Sequence, residues 1–404
     1  MAGSGRMNRH RFDFDKPVDR GNTLSAKWNF IKESVGVEDA LPMWVADMDF
    51  ETVPEVKAAL LARAQHGIYG YTARSDGYYQ ALIDWNLKRH GWQVDKKWIT
   101  HSSGVVNALF TAVRVFAKPG DGVLIQPPVY PPFYRAISKN DCEAVLNPLK
   151  LEEGRYSPDL ADFADKVGSG RVKLFILCNP HNPVGTVFTE EELRTMGELC
   201  LRHGVIVISD EIHSDLLFKP HRHVPFASIS KAFAQNSVVC TAPSKTFNLA
   251  GLSTSNIIIP NDELRRRYDE VSEQVAQKSF NLFGAAACEA AYRHGEEWLD
   301  QLISYIDGNR KYAVEFIEAR LPQLKVYYPE GTYFLWLDCR SLGLGNQELE
   351  KFLLREAKLW FNQGYTFGKE GEGFVRINIG CQRSTVEEAL KRLENAVHSP
   401  VQRG

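Results

Sequence analysis

The sequence lacks most marks of a membrane, secreted or nucleic-acid-binding chain. No apolar run approaches the ~20 residues that cross a bilayer. Seven cysteines in 404 residues are dispersed, odd in number and without a C-x-x-C pair. A disulfide framework or zinc site is therefore not expected, and a reducing, cytoplasmic setting is. Charge of neither sign dominates: 48 Lys and Arg stand against 50 Asp and Glu, which leaves no electrostatic footprint for nucleic acid or an anionic membrane. Repeats, low-complexity segments and obvious linkers are missing, so domain boundaries are soft. Residues 1–12 are polar and basic with no apolar h-region, unlike a secretory signal, and residues 1–7 read as a flexible leader. His213, His221 and His223 lie close in sequence, but no acidic ligands stand at helical spacing, so no metal is expected.

What remains is an ordinary globular composition, 44% hydrophobic and 24% charged, in a chain too long for one small core. The stretch that organises it is Thr241-Ala-Pro-Ser-Lys-Thr-Phe-Asn-Leu-Ala-Gly-Leu252. A β-branched strand, Ser237-Val-Val-Cys240, runs into Lys245, and a second apolar strand follows over 254–259. Burial between strands disfavours the charged form of a lysine and suits a Schiff-base amine; a solvated loop lysine is the plain alternative.

Helical periodicity is expected over 54–66, 78–90, 105–116, 190–203, 264–276, 285–292, 296–320, 347–358 and 386–396. Short β-rich runs at 98–101, 123–126, 144–149, 172–178 and 205–209 alternate with these helices. They imply an α/β layer with a mostly parallel sheet. Ligands of such sheets sit at the carboxyl ends of strands. Asn182, Asp210 and Lys245 all lie just past such ends, so one cleft could collect them. Strand 98–101 feeds Ser102-Ser-Gly-Val-Val106 and then a helix; free N–H groups and the helix dipole make that turn a site for one phosphate-sized anion. Past 320 the pattern becomes alternating strands at 326–328, 331–338 and 373–380, an α+β unit expected to pack with the N-terminal arm. Arg376 is the lone charge in its apolar strand. It needs an anionic partner, either an internal salt bridge or a bound carboxylate. The run Leu41-Pro-Met-Trp-Val-Ala-Asp-Met-Asp-Phe50 shows few helix or strand signals, and its spacing favours a hydrophobic plug on the core over a pocket wall.

Asn179-Pro-His-Asn-Pro-Val-Gly185, Ser209-Asp-Glu-Ile-His213, Ser244-Lys-Thr-Phe-Asn-Leu-Ala-Gly251 and Arg376, in this order, resemble the fold type I pyridoxal phosphate enzymes of the class I/II aminotransferase superfamily. Residues 43–50, Gly70-Tyr71 and Pro127-Pro-Val-Tyr-Pro-Pro132 look like the MalY/PatB group of cystathionine β-lyases. The resemblance implies a large domain over 51–292 with a mainly parallel seven-stranded sheet. It also implies a small α+β domain over 293–404, joined by an arm over 1–50, and a homodimer with sites shared between subunits. By the same resemblance Lys245 would hold pyridoxal 5′-phosphate and move the Cα proton. Asp210 would pair with the pyridine nitrogen, Asn182 and His213 would face the phenolic oxygen, and Tyr130 would stack on the ring. Gly104, Val105 and Ser244 would hold the phosphate, with Tyr71 reaching it from the neighbouring subunit and sharing in catalysis. Arg376 would clamp the substrate α-carboxylate, and Trp44 and Asp47 would line the substrate side. One position departs from the superfamily pattern: Ser253 stands where many members carry a phosphate-binding arginine. The implied reaction is α,β-elimination on L-cystathionine or related cysteine S-conjugates, giving a thiol, pyruvate and ammonia. Two rivals stay open on sequence, a class I/II aminotransferase and a pyridoxal phosphate protein with a mainly regulatory role through protein contacts.

Overall fold

A computed structural model describes residues 12–275 and 281–399. The leader at 1–7, and Ala276 at the end of one expected helix, lie outside the described residues. The central sheet has seven strands: β1 (Ile99–Ser102), β2 (Gly122–Ile125), β3 (Glu143–Leu146), β4 (Val172–Cys178), β5 (Ile206–Asp210), β6 (Ser237–Thr241) and β7 (Ser255–Ile258). Their spatial order is β1-β7-β6-β5-β4-β2-β3. Neighbours from β6 to β3 pair in parallel, whereas β7 runs antiparallel to both β1 and β6. Every residue of β2, β6 and β7 is buried. Such strands must be covered by helices on both faces, which is why β2 and the middle of β6 read as continuous apolar runs rather than alternating ones.

The helices that matter for the site are α1 (Pro54–His66), α2 (Asp76–His90), α3 (Val105–Phe116), α4 (Glu190–His203), α5 (Pro243–Thr246), α6 (Asp262–Gln274), α7 (Leu282–His294), α8 (Glu296–Arg320) and α9 (Arg383–His398). Their ends are written in the sequence. Ser75 Oγ accepts from Tyr78 N to cap α2, Thr189 and Glu192 form a reciprocal capping box on α4, and Asn281 caps α7. Left-handed Gly67, Gly91 and Gly204 stop α1, α2 and α4. Gly284 lets α7 close on the turn before β7, since a Cβ there would meet Thr254 Oγ1 and would lie 2.6 Å from Leu252 O.

A second sheet, β8 (Lys325–Tyr327), β9 (Phe334–Asp338), β10 (Asn362–Gln363) and β11 (Phe374–Asn378), is antiparallel in the order β8-β9-β11-β10. Helices α8 and α9 pack beside it, and one apolar cluster joins this layer to Met43, Met48 and Phe50 of the arm.

Two expectations need correction. The helix expected over 347–358 ends as an α-helix at Lys351, continues as a π-helical turn over Phe352–Glu356, and gives way to the short strand Leu359–Trp360. Lys358 breaks it at φ 55°, and the main-chain groups beyond pair with Leu41–Pro42 in parallel. The arm segment 41–50 is thus partly a strand, bound by long-range hydrogen bonds that its own sequence does not advertise.

Candidate active site

The parallel registers of β4, β5 and β6 put Cys178, Asp210 and Cys240 on one line across three strands. Just past that line a cavity of about 220 Å³ opens. Lys245, Asp210, Asn182, His213, Tyr130, Ser244, Gly104 and Val105 all line it. Its wall also includes Ser103, Asn107, Cys178, Ser253 and Ala46; Ser103 belongs to the turn expected to hold an anion and Ser253 was noted as a departure from the superfamily pattern, whereas Asn107, Cys178 and Ala46 were not picked out as site residues. The Ser103–Asn107 side-chain hydrogen bond crosses the first turn of α3; a polar residue one turn on from Ser103 was the signal available for finding Asn107.

Lys245 sits on α5, a single turn rather than a loop. Its Nζ donates to Ala46 O at 2.7 Å. Burial, aided by the charge of Arg376, lowers this ammonium to about 8, with Asp47 and Asp210 pulling the other way. Asp210 closes β5. Its Oδ1 accepts from Ile212 N at 3.2 Å, and burial raises its carboxyl to about 7 despite that bond. An amine that gives up its proton readily therefore faces a carboxyl that takes one up readily. Perturbation of this kind in a cavity is characteristic of functional sites.

Arg376 is buried in β11, opposite Trp336 on one side and Asn362 on the other. Among the described residues no carboxylate meets it. Its Nη1 donates to Asn182 Oδ1 at 2.9 Å, and its Nη2 to Trp44 O at 2.7 Å and Asn362 Oδ1 at 3.0 Å. Among the described residues its Nε has no hydrogen-bond partner, and its guanidinium lies 4.1 Å from the Phe334 ring centroid. Burial lowers it to about 10. Of the two sequence alternatives, the internal salt bridge is not formed among the described residues; neutral acceptors hold the buried cation. His213 is buried against Tyr333 and Phe334 with Nδ1 unpartnered. Burial, then Lys245 and Arg376, push its pKa well below the ordinary value, so it stands neutral.

Four of the expected residues lie elsewhere than in this cavity wall: Arg376, behind Asn182, and Trp44, Asp47 and Tyr71. Trp44 stacks on Trp360 at 4.6 Å and contributes its carbonyl, not its ring, to Arg376. Asp47 is held by Arg20 at 2.7 Å, in a cluster where Lys27 bonds Asp49 at 2.6 Å. Tyr71 is fully exposed on its own chain, beside the exposed Ile68 and Tyr69.

Residues 39–393 match the model of the family described as aminotransferase class I and II. The chain belongs to that family. It is 46% identical to the cystathionine beta-lyase PatB of Bacillus subtilis over 385 residues, covering 95% of this chain and all of the relative. It is 34% identical to the protein MalY of Escherichia coli over 390 residues, covering 96% and 99%. Among solved structures it resembles cystalysin of Treponema denticola, which contains a pyridoxal 5′-phosphate cofactor, with a TM-score of 0.93, 36% identity and coverage of 96% and 99%. The fold is that of the fold type I family, with its mixed seven-stranded sheet between helices. Among the described residues no helix is long and apolar enough to cross a membrane.

Proposed function

We propose that the chain is a pyridoxal phosphate-dependent carbon–sulfur β-lyase that cleaves L-cystathionine or related cysteine S-conjugates to a thiol, pyruvate and ammonia. One observation carries the reading: Lys245, Asp210 and the serine-rich N-terminus of α3 converge on one cavity, with Arg376 behind Asn182 at its edge. The residues fit the cofactor. The α3 amides after Gly104 and the hydroxyls of Ser103, Ser244 and Ser253 suit its phosphate. Tyr130 offers a ring face, Asn182 and His213 line the cavity, and Asp210 suits a ring nitrogen that must keep its proton. Ser253 takes the place of an arginine, so retention rests on amides and hydroxyls rather than on a cation.

When bound, the cofactor supplies a sink for the electron pair left at Cα. The protein's residues do the rest. Arg376 binds the substrate carboxylate, held at the right angle by Asn182, Asn362 and Trp44 O. Lys245 Nζ removes the Cα proton; lowered to about 8, it is partly free base near neutral pH. As the C–S bond breaks, the electron pair leaves with sulfur, and Lys245 or Tyr71 of a neighbouring copy returns a proton to the thiolate. The full exposure of Tyr71 supports its service to a second subunit, hence a homodimer. The cysteines and charge balance support a cytoplasmic setting. The domain division proposed is an arm to residue 50, a large unit over 51–292 and a small unit from 293. It is supported by the two sheets lying wholly within 99–258 and 325–378.

The test is to add L-cystathionine to purified protein and pyridoxal phosphate without a keto acid. Pyruvate and free thiol should appear in equal amounts. Amino-group transfer that begins only when a keto acid is supplied would move the activity to transamination. Arg376→Lys is expected to raise KM for the amino acid roughly 10–100-fold with a smaller change in kcat, because an ammonium cannot reproduce the planar two-point grip. Steady-state kinetics decides this, and an unchanged KM would remove Arg376 from substrate binding.

A further inference from the structure

Behind the cavity, the strand end that carries Asp210 and the turn that carries Lys245 are tied together by one buried carboxylate. From Asp210 the chain folds through tight turns, Ser214 N to Glu211 O at 2.9 Å and Leu216 N to His213 O at 2.9 Å. These place Asp215 beneath α5. Its Oδ2 accepts from Thr246 Oγ1 at 2.8 Å, and Thr246 adjoins Lys245. The same carboxylate receives Trp85 Nε1 at 3.1 Å and meets His90 Nε2 at 3.0 Å, both from α2. Burial works to raise Asp215, but the His90 and Thr246 hydrogen bonds and the charges of His90 and Arg89 hold it below the ordinary range; Tyr292 of α7 also faces it.

A buried carboxylate is costly unless every lone pair is used, and a turn of four residues cannot hold its own shape. The turn is fixed from outside. Asn248 bonds Met48 O at 2.8 Å and Phe50 O at 3.0 Å on the arm side, and Asp215 holds Thr246 on the α2 side. Neither Asp215 nor Thr246 lines the cavity.

We propose that Asp215, through the Thr246 hydroxyl, is a positioning residue that sets the place of the Lys245 amine relative to Asp210. The proposal rests on Lys245 as the reactive amine, and its test reads Lys245 separately from turnover. Thr246→Val keeps the side-chain shape and removes the donor, which avoids the gross damage expected of deleting Asp215 itself. In the apo-protein, the pH dependence of Lys245 acetylation by acetic anhydride, followed on its peptide by mass spectrometry, should show wild-type Lys245 titrating near 8. In Thr246→Val the midpoint should move by about one unit towards the ordinary lysine value. In the cofactor-loaded enzyme kcat should fall roughly tenfold, with KM within about twofold, as expected when a misplaced reacting group costs rate rather than binding. Thr246→Ser should restore both readouts. An unchanged acetylation profile, or a serine variant that behaves like the valine one, would overturn the proposal. Wild-type protein that titrates as expected but lacks lyase activity would sink the proposed function while leaving the positioning role intact.

Discussion

Lys245→Ala should abolish turnover, with kcat down by about 10⁴-fold or more, because one side chain supplies both the cofactor attachment and the proton transfer at Cα. The apo-protein should nevertheless remain folded. Burying the amine is itself a cost: its folded value near 8 lies below the 10.5 of the ordinary group. Below pH 8 that difference opposes folding by on the order of 3 kcal/mol. Alanine removes this cost, and it also removes the packed stem and the bond to Ala46 O, losses of similar size. The sign with pH is distinctive. Between about 8 and 10.5 the unfolded wild-type chain binds more protons than the folded one, so wild-type stability rises with pH relative to the alanine variant. Urea unfolding of both apo-proteins at pH 7.5 and pH 10 measures it. Equal pH responses would mean that Lys245 is an ordinary solvated lysine, and residual lyase activity would remove it from the mechanism.

The parallel part of the sheet was legible because its central strands are almost wholly buried and so appear as apolar runs, as in Leu174–Cys178, the buried stretch that follows the exposed Lys173. Residues at the ends of those runs, Asn182, Asp210 and Lys245, fell into one cavity because topology fixes where strand ends meet. The contribution of 41–50 was hidden for the opposite reason. It acts through backbone groups: Ala46 O receives Lys245, and Trp44 O receives Arg376. A carbonyl has the same chemistry whatever side chain it carries, so residue types could not reveal it. The plug reading holds for Met43, Met48 and Phe50, which are buried, but the same segment also walls the cavity at Ala46. Asp215 escaped notice because its partners, Trp85, His90 and Thr246, are distant in sequence. The resemblance implied Asp47 on the substrate side; the fold pairs its Oδ2 with Arg20 while its charge still acts on Lys245, and only the fold brings that arginine to it.

Asp210→Asn should separate activity from stability most sharply. Activity should fall roughly 10²–10³-fold, the loss expected when a fixed charge aligned with the developing charge of a reaction is removed, since a neutral amide cannot keep a ring nitrogen protonated. Stability of the apo-protein should move the other way. Burial holds the folded carboxyl near 7, against 3.8 for the ordinary group. Protonation therefore favours the folded state: this contribution is full below pH 3.8 and is lost as pH rises through 7. Asparagine is neutral throughout. The two apo-proteins should be about equally stable near pH 4, and the variant should be the more stable at pH 8 by roughly a few kcal/mol. A carboxylate kept in place against its own desolvation is one retained for what it does to a bound group rather than for the fold. Chemical denaturation at the two pH values, paired with pyruvate release by the cofactor-loaded proteins, measures both halves. A variant that is less stable than wild type at pH 8 would make Asp210 a structural residue, and one that keeps wild-type turnover would take it out of the reaction.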